Sequence, residues 1–338
     1  MKVTRKQLLA DNLQSLNWRK NELVDWISGG VIYKLTGAII KKEYFLGFGY
    51  RFDAAKTSKN GIYAVVYEHS GTKALLLKNG ELLRELNRSY YCAEVYEYPI
   101  EFFEQANGKT LLIHCPKEYG RIEFEDAESG EILTDTLVRN PIGLFHSRFK
   151  VSASNTLLLS RGWVWHPLEF VKMYNIDDCL KNPLLLDGHG QLPHSSTEVC
   201  AGDFISDNLI LLGTSDELSY NYGDEDYDAE EDLLPPKHIG IWDITEEKII
   251  SRFNAFDKGL NLIVINENYA WDIYRYPKLI NISSGIIELK FEDIDSSTES
   301  SPIKKSPIGY NSYFSYNDAL KTLAIGNKNK IELLQFIE

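Results

Sequence analysis

The sequence predicts an all-β fold, a seven-bladed β-propeller built from four-stranded antiparallel blades, and two internal repeats carry that reading. The first repeat is a hairpin pattern, two runs rich in β-branched residues around a polar turn, seen at 238–253, 122–134, 279–291 and 22–35. In all four an Asp or Asn (Asp25, Asp126, Asn281, Asp243) closes the first run. Six residues later an apolar residue (Val31, Ile132, Ile287, Ile249) opens the second. The other repeat is a turn signal just before an apolar strand, at Asn60-Gly61, Asn107-Gly108, Asn155, Asn208, Asn268 and Asn317-Asp318, with a weaker match at Asn12. Asn, Asp and Gly tolerate the left-handed backbone of tight turns. From Asn12 to Asn268 the spacings are 48, 47, 48, 53 and 60 residues. A period near fifty with four strands per unit gives a ring of blades.

Seven units of about 48 residues account for all 338, as one domain spanning 1–338; six blades with N-terminal strand closure is the alternative. The last unit holds three strands, near 313–316, 321–325 and 331–336, so closing the ring needs a strand from Val3–Leu9, or the hairpin Glu22–Leu35 in the six-bladed version. A helix over Arg5–Leu16 competes for that segment, because Leu9, Leu13 and Leu16 share helical spacing. Ile241-Trp242-Asp243-Ile244 resembles the Trp-Asp ending of a WD40 third strand. On that match and the repeat, nearly the whole chain resembles the WD40-like β-propeller superfamily. No Gly-His pair opens the units, and Trp271-Asp272 lies in a second strand, so the resemblance implies architecture and no functional residue.

A formal net charge of −13 argues against nucleic-acid binding through phosphates and fits a protein that attracts basic partners, or one simply kept soluble by repulsion. No apolar run reaches membrane-span length, and the first twenty residues alternate charged and apolar side chains without a secretory core. Cys92, Cys115, Cys179 and Cys200 lack paired spacing and read as reduced thiols. These features point to a cytoplasmic protein with no membrane partner, monomeric when free.

In a blade whose strands run A to D outward, the B–C loops and D–A connections share one face and the A–B and C–D turns the other. Here the A–B and C–D turns read as short, while the longer segments of the first face carry unusual side chains. Its B–C loops hold Tyr119, then Trp163, Trp165 and His166, then Tyr274 and Tyr276. Its D–A connections include 87–97 with Tyr90 and Tyr91, 187–197, and 292–307. The most distinctive B–C segment is 215–236, expected to be a flexible insertion. It carries Asp216, Glu217, Asp224, Glu225, Asp226, Asp228, Glu230, Glu231 and Asp232, no base, and Tyr220, Tyr222 and Tyr227. Charge runs are ordinarily solvated loops. The competing reading is an acidic, tyrosine-bearing arm that engages a basic protein surface.

Chemical motifs are few. Asp224-x-Asp226-x-Asp228 begins like a calcium loop, but Ala229 replaces the turn glycine and Pro235 the bidentate Glu. Cys179, His189, His194 and Cys200 miss zinc-knuckle spacing. Gly108-Lys109-Thr110 lacks the first glycine of a phosphate loop and sits in a hairpin turn. His166 is the one histidine placed to be an acid–base candidate, although an interface role suits it better. The sequence therefore predicts no cofactor, no metal and no catalytic residue. It predicts a non-catalytic propeller that engages a basic protein on the B–C/D–A face, one version being an inhibitor or immunity protein that neutralises a toxin. The alternative is a propeller hydrolase or lyase acting on a small molecule or glycan in the central channel, with carboxylates drawn from several blades.

Overall fold

The computed structural model describes residues 1–338 except 43, 44, 46, 166, 196, 219–232, 258 and 304–311. Seven small antiparallel sheets are present, and each is a blade. Blade 1 has strands Asn17–Arg19, Glu22–Asp25, Val31–Lys34 and Ile39–Ile40; blade 2 has Ala54–Thr57, Tyr63–Tyr67, Lys73–Lys78 and Glu81–Asn87. Blade 3 has Ile100–Glu104, Thr110–His114 and Glu123–Asp126, with a single bridge from Glu125 to Ile132 as its fourth position. In blade 4 the A strand is split into Leu144–Phe145 and Lys150–Val151, followed by Leu157–Val164 and Leu168–Asn175. Blade 5 has Thr197–Phe204, Leu209–Leu218, His238–Asp243 and Lys248–Asn254, and blade 6 has Leu262–Val264, Tyr269–Asp272, Lys278–Asn281 and Ile286–Lys290.

Blade 7 closes the ring. Tyr313–Asn317, Thr322–Asn327 and Lys330–Ile337 supply its A, B and C strands, and the N-terminal strand Lys2–Leu9 pairs along Lys330–Ile337 as the fourth. This settles seven blades over six. The helix over Arg5–Leu16 does not form. Residues 2–9 form the outer edge strand instead, largely exposed with Leu8 buried, and pairing satisfies backbone groups on both chain ends. Leu13 and Leu16 still reach the core, from the connection leading into blade 1.

The radial arrangement follows from period-2 burial. In the blade 5 B strand, Ile210 and Leu212 pack toward blade 4, while Leu211 packs toward blade 6. Trp271 of blade 6 faces blade 7, and its neighbour Ala270 faces blade 5. Each of seven apolar clusters lies between two adjacent blades, including one joining blade 7 to blade 1 through Leu8, Leu16, Trp18 and Leu333. No single centre is buried; the core is a ring.

The turn asparagines occupy A–B turns as expected, and they also bond around the rim. Asn60 Nδ2 donates to Thr110 Oγ1 at 2.9 Å, Ser154 donates to Asp207 at 2.7 Å, and Asn317 Nδ2 donates to the Lys20 carbonyl at 2.7 Å. Asn12 is the exception: it lies in the connection from blade 7 to blade 1, whose own A–B turn is Lys20-Asn21. The hairpin pattern has one misplacement too. At Asp126, Asn281 and Asp243 it joins strands C and D, but at Asp25 it joins B and C of blade 1. In each case the side-chain oxygen accepts the amide three residues on. The motif specifies a turn, and that turn serves either position.

Blade 4 departs most from expectation. Its C–D connection is long, not tight, and carries the helix Ile176–Lys181 and the 3-10 turn Pro183–Asp187 before Gln191 pairs with Met173. Residues 187–190 therefore belong to this C–D connection, and only residues after Gln191 lead to the next blade. The helix is capped by Asn175, whose side chain accepts from the Asp178 amide.

A candidate protein-binding face

One face of the ring carries a stack of aromatic rings drawn from three connections. Phe145 and Trp163 are cross-strand partners in blade 4, with ring centroids 4.0 Å apart and planes inclined by 7°. Gly162 makes this approach possible, because a Cβ there would lie 2.1 Å from the Phe145 carbonyl oxygen. Tyr119, from the B–C loop of blade 3, also packs on Phe145 at 4.5 Å, and Tyr91 lies against both, 4.9 Å from Tyr119 and 6.0 Å from Phe145. Trp165 lies 6.1 Å from Trp163 and 6.3 Å from Phe145. Tyr96 meets Phe145 edge-on from below at 5.4 Å. The middle is buried while the ends are open: Trp165 is 59% exposed and Tyr91 is 51% exposed. Neighbouring connections on the same face add exposed Tyr90, Leu137 and Val138.

Two buried arginines set the loops that hold these rings. Arg88 donates to the carbonyls of Gly71, Ala93, Tyr96 and Glu97 and lies over the rings of Tyr96 and Tyr98, folding 88–98 around one guanidinium. Burial lowers its pKa, and the surrounding carbonyls and ring faces compensate the charge. Arg139 pairs with Asp187 at 2.7 Å and donates to the Thr134 and Ile122 carbonyls, pinning the connection that carries Leu137 and Val138. Exposed carboxylates border the stack, Glu94 beside Cys92 and Glu118 beside Tyr119.

A strap crosses the mouth of this face. Residues 291–303 leave blade 6, where Arg275 pairs with Ser297, and reach the far side of the ring, where Ile303 pairs with Tyr96 and Pro302 accepts from the Glu97 amide. Between those anchors Arg148 of blade 4 donates to the carbonyls of Ser300 and Ser301 and, through Nε, to Glu97 at 2.9 Å. Burial alone would raise the pKa of Glu97, but the charges of Arg148 and His69 hold it well below the usual carboxylate range. Blade 6 and the entry to blade 3 stand nearly opposite in a seven-membered ring, so the strap roofs the central channel.

The structure thus brings Tyr119, Trp163 and Trp165 into one stack. Tyr274 and Tyr276 lie on the same face but across the mouth, where Tyr274 packs against Gly259 and the Lys278 ammonium sits 4.9 Å from the Tyr276 ring centre. The strap links the two groups. Asp216, at the end of the blade 5 B strand, is on this face and lies 3.4 Å from Lys237. The side chain of Glu217, and all of Tyr220, Tyr222, Asp224, Glu225, Asp226, Tyr227, Asp228, Glu230, Glu231, Asp232 and His166, lie outside the described residues. The described strands that precede them, Leu157–Val164 and Leu209–Leu218, both end on the face that carries the stack. Sequence reasoning passed over Phe145, Tyr96, Arg88 and Arg148. Arg88, next to Asn87 at a strand end, gave no local signal at all.

Among the described residues no group of three or more His, Cys, Asp or Glu could hold a metal ion, and no helix is long and apolar enough to cross a membrane. All four cysteines are free thiols, three of them buried. His146 and Ser160 form a buried pair, Nδ1 to Oγ 2.9 Å, with no access for a substrate.

No family model and no curated protein matches this sequence. Among solved structures, a chain of the crystal structure of a mitotic checkpoint complex is similar, with a TM-score of 0.60 over 98% of this chain and 95% of that one, at 10% identity. At that identity the likeness concerns the fold alone. The seven closed blades make the chain a seven-bladed β-propeller, and this neighbour shares its fold.

Proposed function

We propose that this chain is a non-catalytic propeller that binds a basic protein partner on the strapped face. The observation that carries this reading is the five-ring stack from Tyr91 to Trp165. It is preorganised by a buried middle and open at both ends, the arrangement that supplies anchor residues to an interface. Glu94 and Glu118 border the stack, and the sequence adds an acidic stretch within 215–236 whose described start, Asp216, lies on this face; such charge would steer a basic surface toward it. The similar chain named above comes from a protein complex, in keeping with a protein partner. One version is an inhibitor or immunity protein that neutralises a basic toxin; a scaffold uses the same surface. The protein is read as cytoplasmic and monomeric when free.

The enzyme alternative draws less support from the channel. Three of its carboxylates, Glu101, Asp203 and Glu97, are each paired with a cation (Lys56 at 2.6 Å, Lys150 at 3.2 Å, and Arg148), which suits structure better than proton transfer. Capture of a partner by the full chain at low and high salt, with Trp165→Ala and a 219–232 deletion in parallel, tests the proposal. Trp165→Ala should weaken binding by 2 kcal/mol or more, roughly thirtyfold, without changing stability. The deletion should slow association mainly at low salt. A partner bound equally well by both variants overturns the proposal.

A further inference from the structure

The central channel is a second feature of the ring, independent of the binding face. It encloses about 980 Å³ and runs from the A–B turns to the underside of the strap, where Ser297 and Glu299 line it. Most charges on its wall cancel in pairs: Lys56 with Glu101, Lys150 with Asp203, Arg148 with Glu97. At its open end the lysines Lys20 and Lys59 stand with Asp207 and Asp318. Asp53 is engaged by the His69 amide at 2.6 Å.

Arg161 is different. It comes from the B strand of blade 4 and lines the channel beside Arg148, below the strap. Among the described residues its only hydrogen bond is from Nε to the Arg148 carbonyl, at 3.4 Å, and no carboxylate lies within ion-pair distance. The two terminal nitrogens of its guanidinium therefore have no acceptor among those residues. Burial, with the Arg148 charge beside it, pulls its pKa down to about 10. A half-buried guanidinium with an unused donor edge, opening on a cavity of this size, can donate two parallel hydrogen bonds to two oxygens of a carboxylate or phosphate. A purely structural arginine would spend those donors on the chain, as Arg88 and Arg139 do.

We propose that the channel under the strap binds a small oxyanion, a carboxylate or phosphate group carried on a polar small molecule, with Arg161 as its anchor. Lys56, Lys150 and Arg148 on the wall each hold a carboxylate, so the ligand's anionic group is met by Arg161, and the rest of the ligand meets a polar wall. It enters from the A–B turn side, because the strap covers the other mouth.

The test uses the full chain. Thermal stability is followed against inorganic phosphate and, separately, citrate, each compared with sodium chloride at matched ionic strength. A saturable stabilisation beyond chloride is expected from at least one, and the better of the two identifies the oxyanion class. In Arg161→Gln the midpoint should move to about tenfold higher concentration or more. If neither anion exceeds chloride, or if Arg161→Gln responds as the wild type does, the proposal is overturned. Should that variant fail to fold, wild-type crystals soaked in selenate decide the matter. Anomalous density within hydrogen-bonding reach of Arg161, about 3 Å, supports the site. Density confined to other places, or none, overturns it.

Discussion

Single residues govern this molecule through what burial does to charge. His146 is enclosed in blade 4 with Ser160 as its hydrogen-bond partner, and burial, with the Lys172 charge nearby, brings its pKa down to about 3. In the unfolded chain an imidazole titrates near 6.5. Between those values the unfolded state holds a proton that the native state does not, so stability is present at neutral pH and is lost as pH falls. By pH 4.5 this one group should cost roughly 2–3 kcal/mol. Urea denaturation of wild type and His146→Asn at several pH values checks this. The variant should show a shallower loss between pH 6.5 and 4.5, and equal slopes would remove His146 from the account. Burial also explains why the sequence hid its most useful arginines. Arg88, Arg148 and Arg161 are indistinguishable in sequence. Carbonyls and rings surround the first, the second clamps a strap that arrives 152 residues later in the chain, and the third lacks an acceptor for its terminal nitrogens among the described residues.

Individual elements were legible where a local rule sets them. Asn60, Asn107, Asn155, Asn208, Asn268 and Asn317 announce the A–B turns, where Asn155 takes the left-handed backbone (φ 60°) and the side chains of Asn60, Asn107 and Asn317 accept a following turn amide. The Asp and Asn hairpin turns were legible as turns but not as positions, since the same side-chain bond closes a B–C hairpin in blade 1 and C–D hairpins elsewhere. The blade 4 helix had readable signals, Asn175 before Asp177 and Asp178 with Pro183 after its end, which the expectation of tight C–D turns obscured. The aromatic stack was half legible. Trp163, Trp165 and Tyr119 stand out in loops, whereas Phe145 joins them only through strand register. The closing strand Lys2–Leu9 yields a prediction at this scale. Its eight paired positions along Lys330–Ile337 leave an open edge when removed. A chain lacking residues 1–9 should melt at least about 10 °C lower and aggregate at concentrations where the full chain does not. A shift of only a degree or two would mean that three strands suffice for the last blade.

At the scale of the whole molecule, seven interblade clusters make a ring whose two faces are chemically distinct. The A–B turns form a hydrogen-bonded rim around the open end of the channel. The opposite face holds the strap, the stack and the ends of the strand that enters the acidic stretch. Placing these features together required the radial geometry, because the segments that meet there are separated by whole blades of sequence. The central claim is that this face is the working one. Hydrogen–deuterium exchange of the full chain with and without its captured partner tests it most directly. The account predicts added protection at 90–95, 117–120 and 163–165 on partner binding, with the A–B turns at 58–62, 152–156 and 205–208 unchanged. Protection confined to those turns would contradict it.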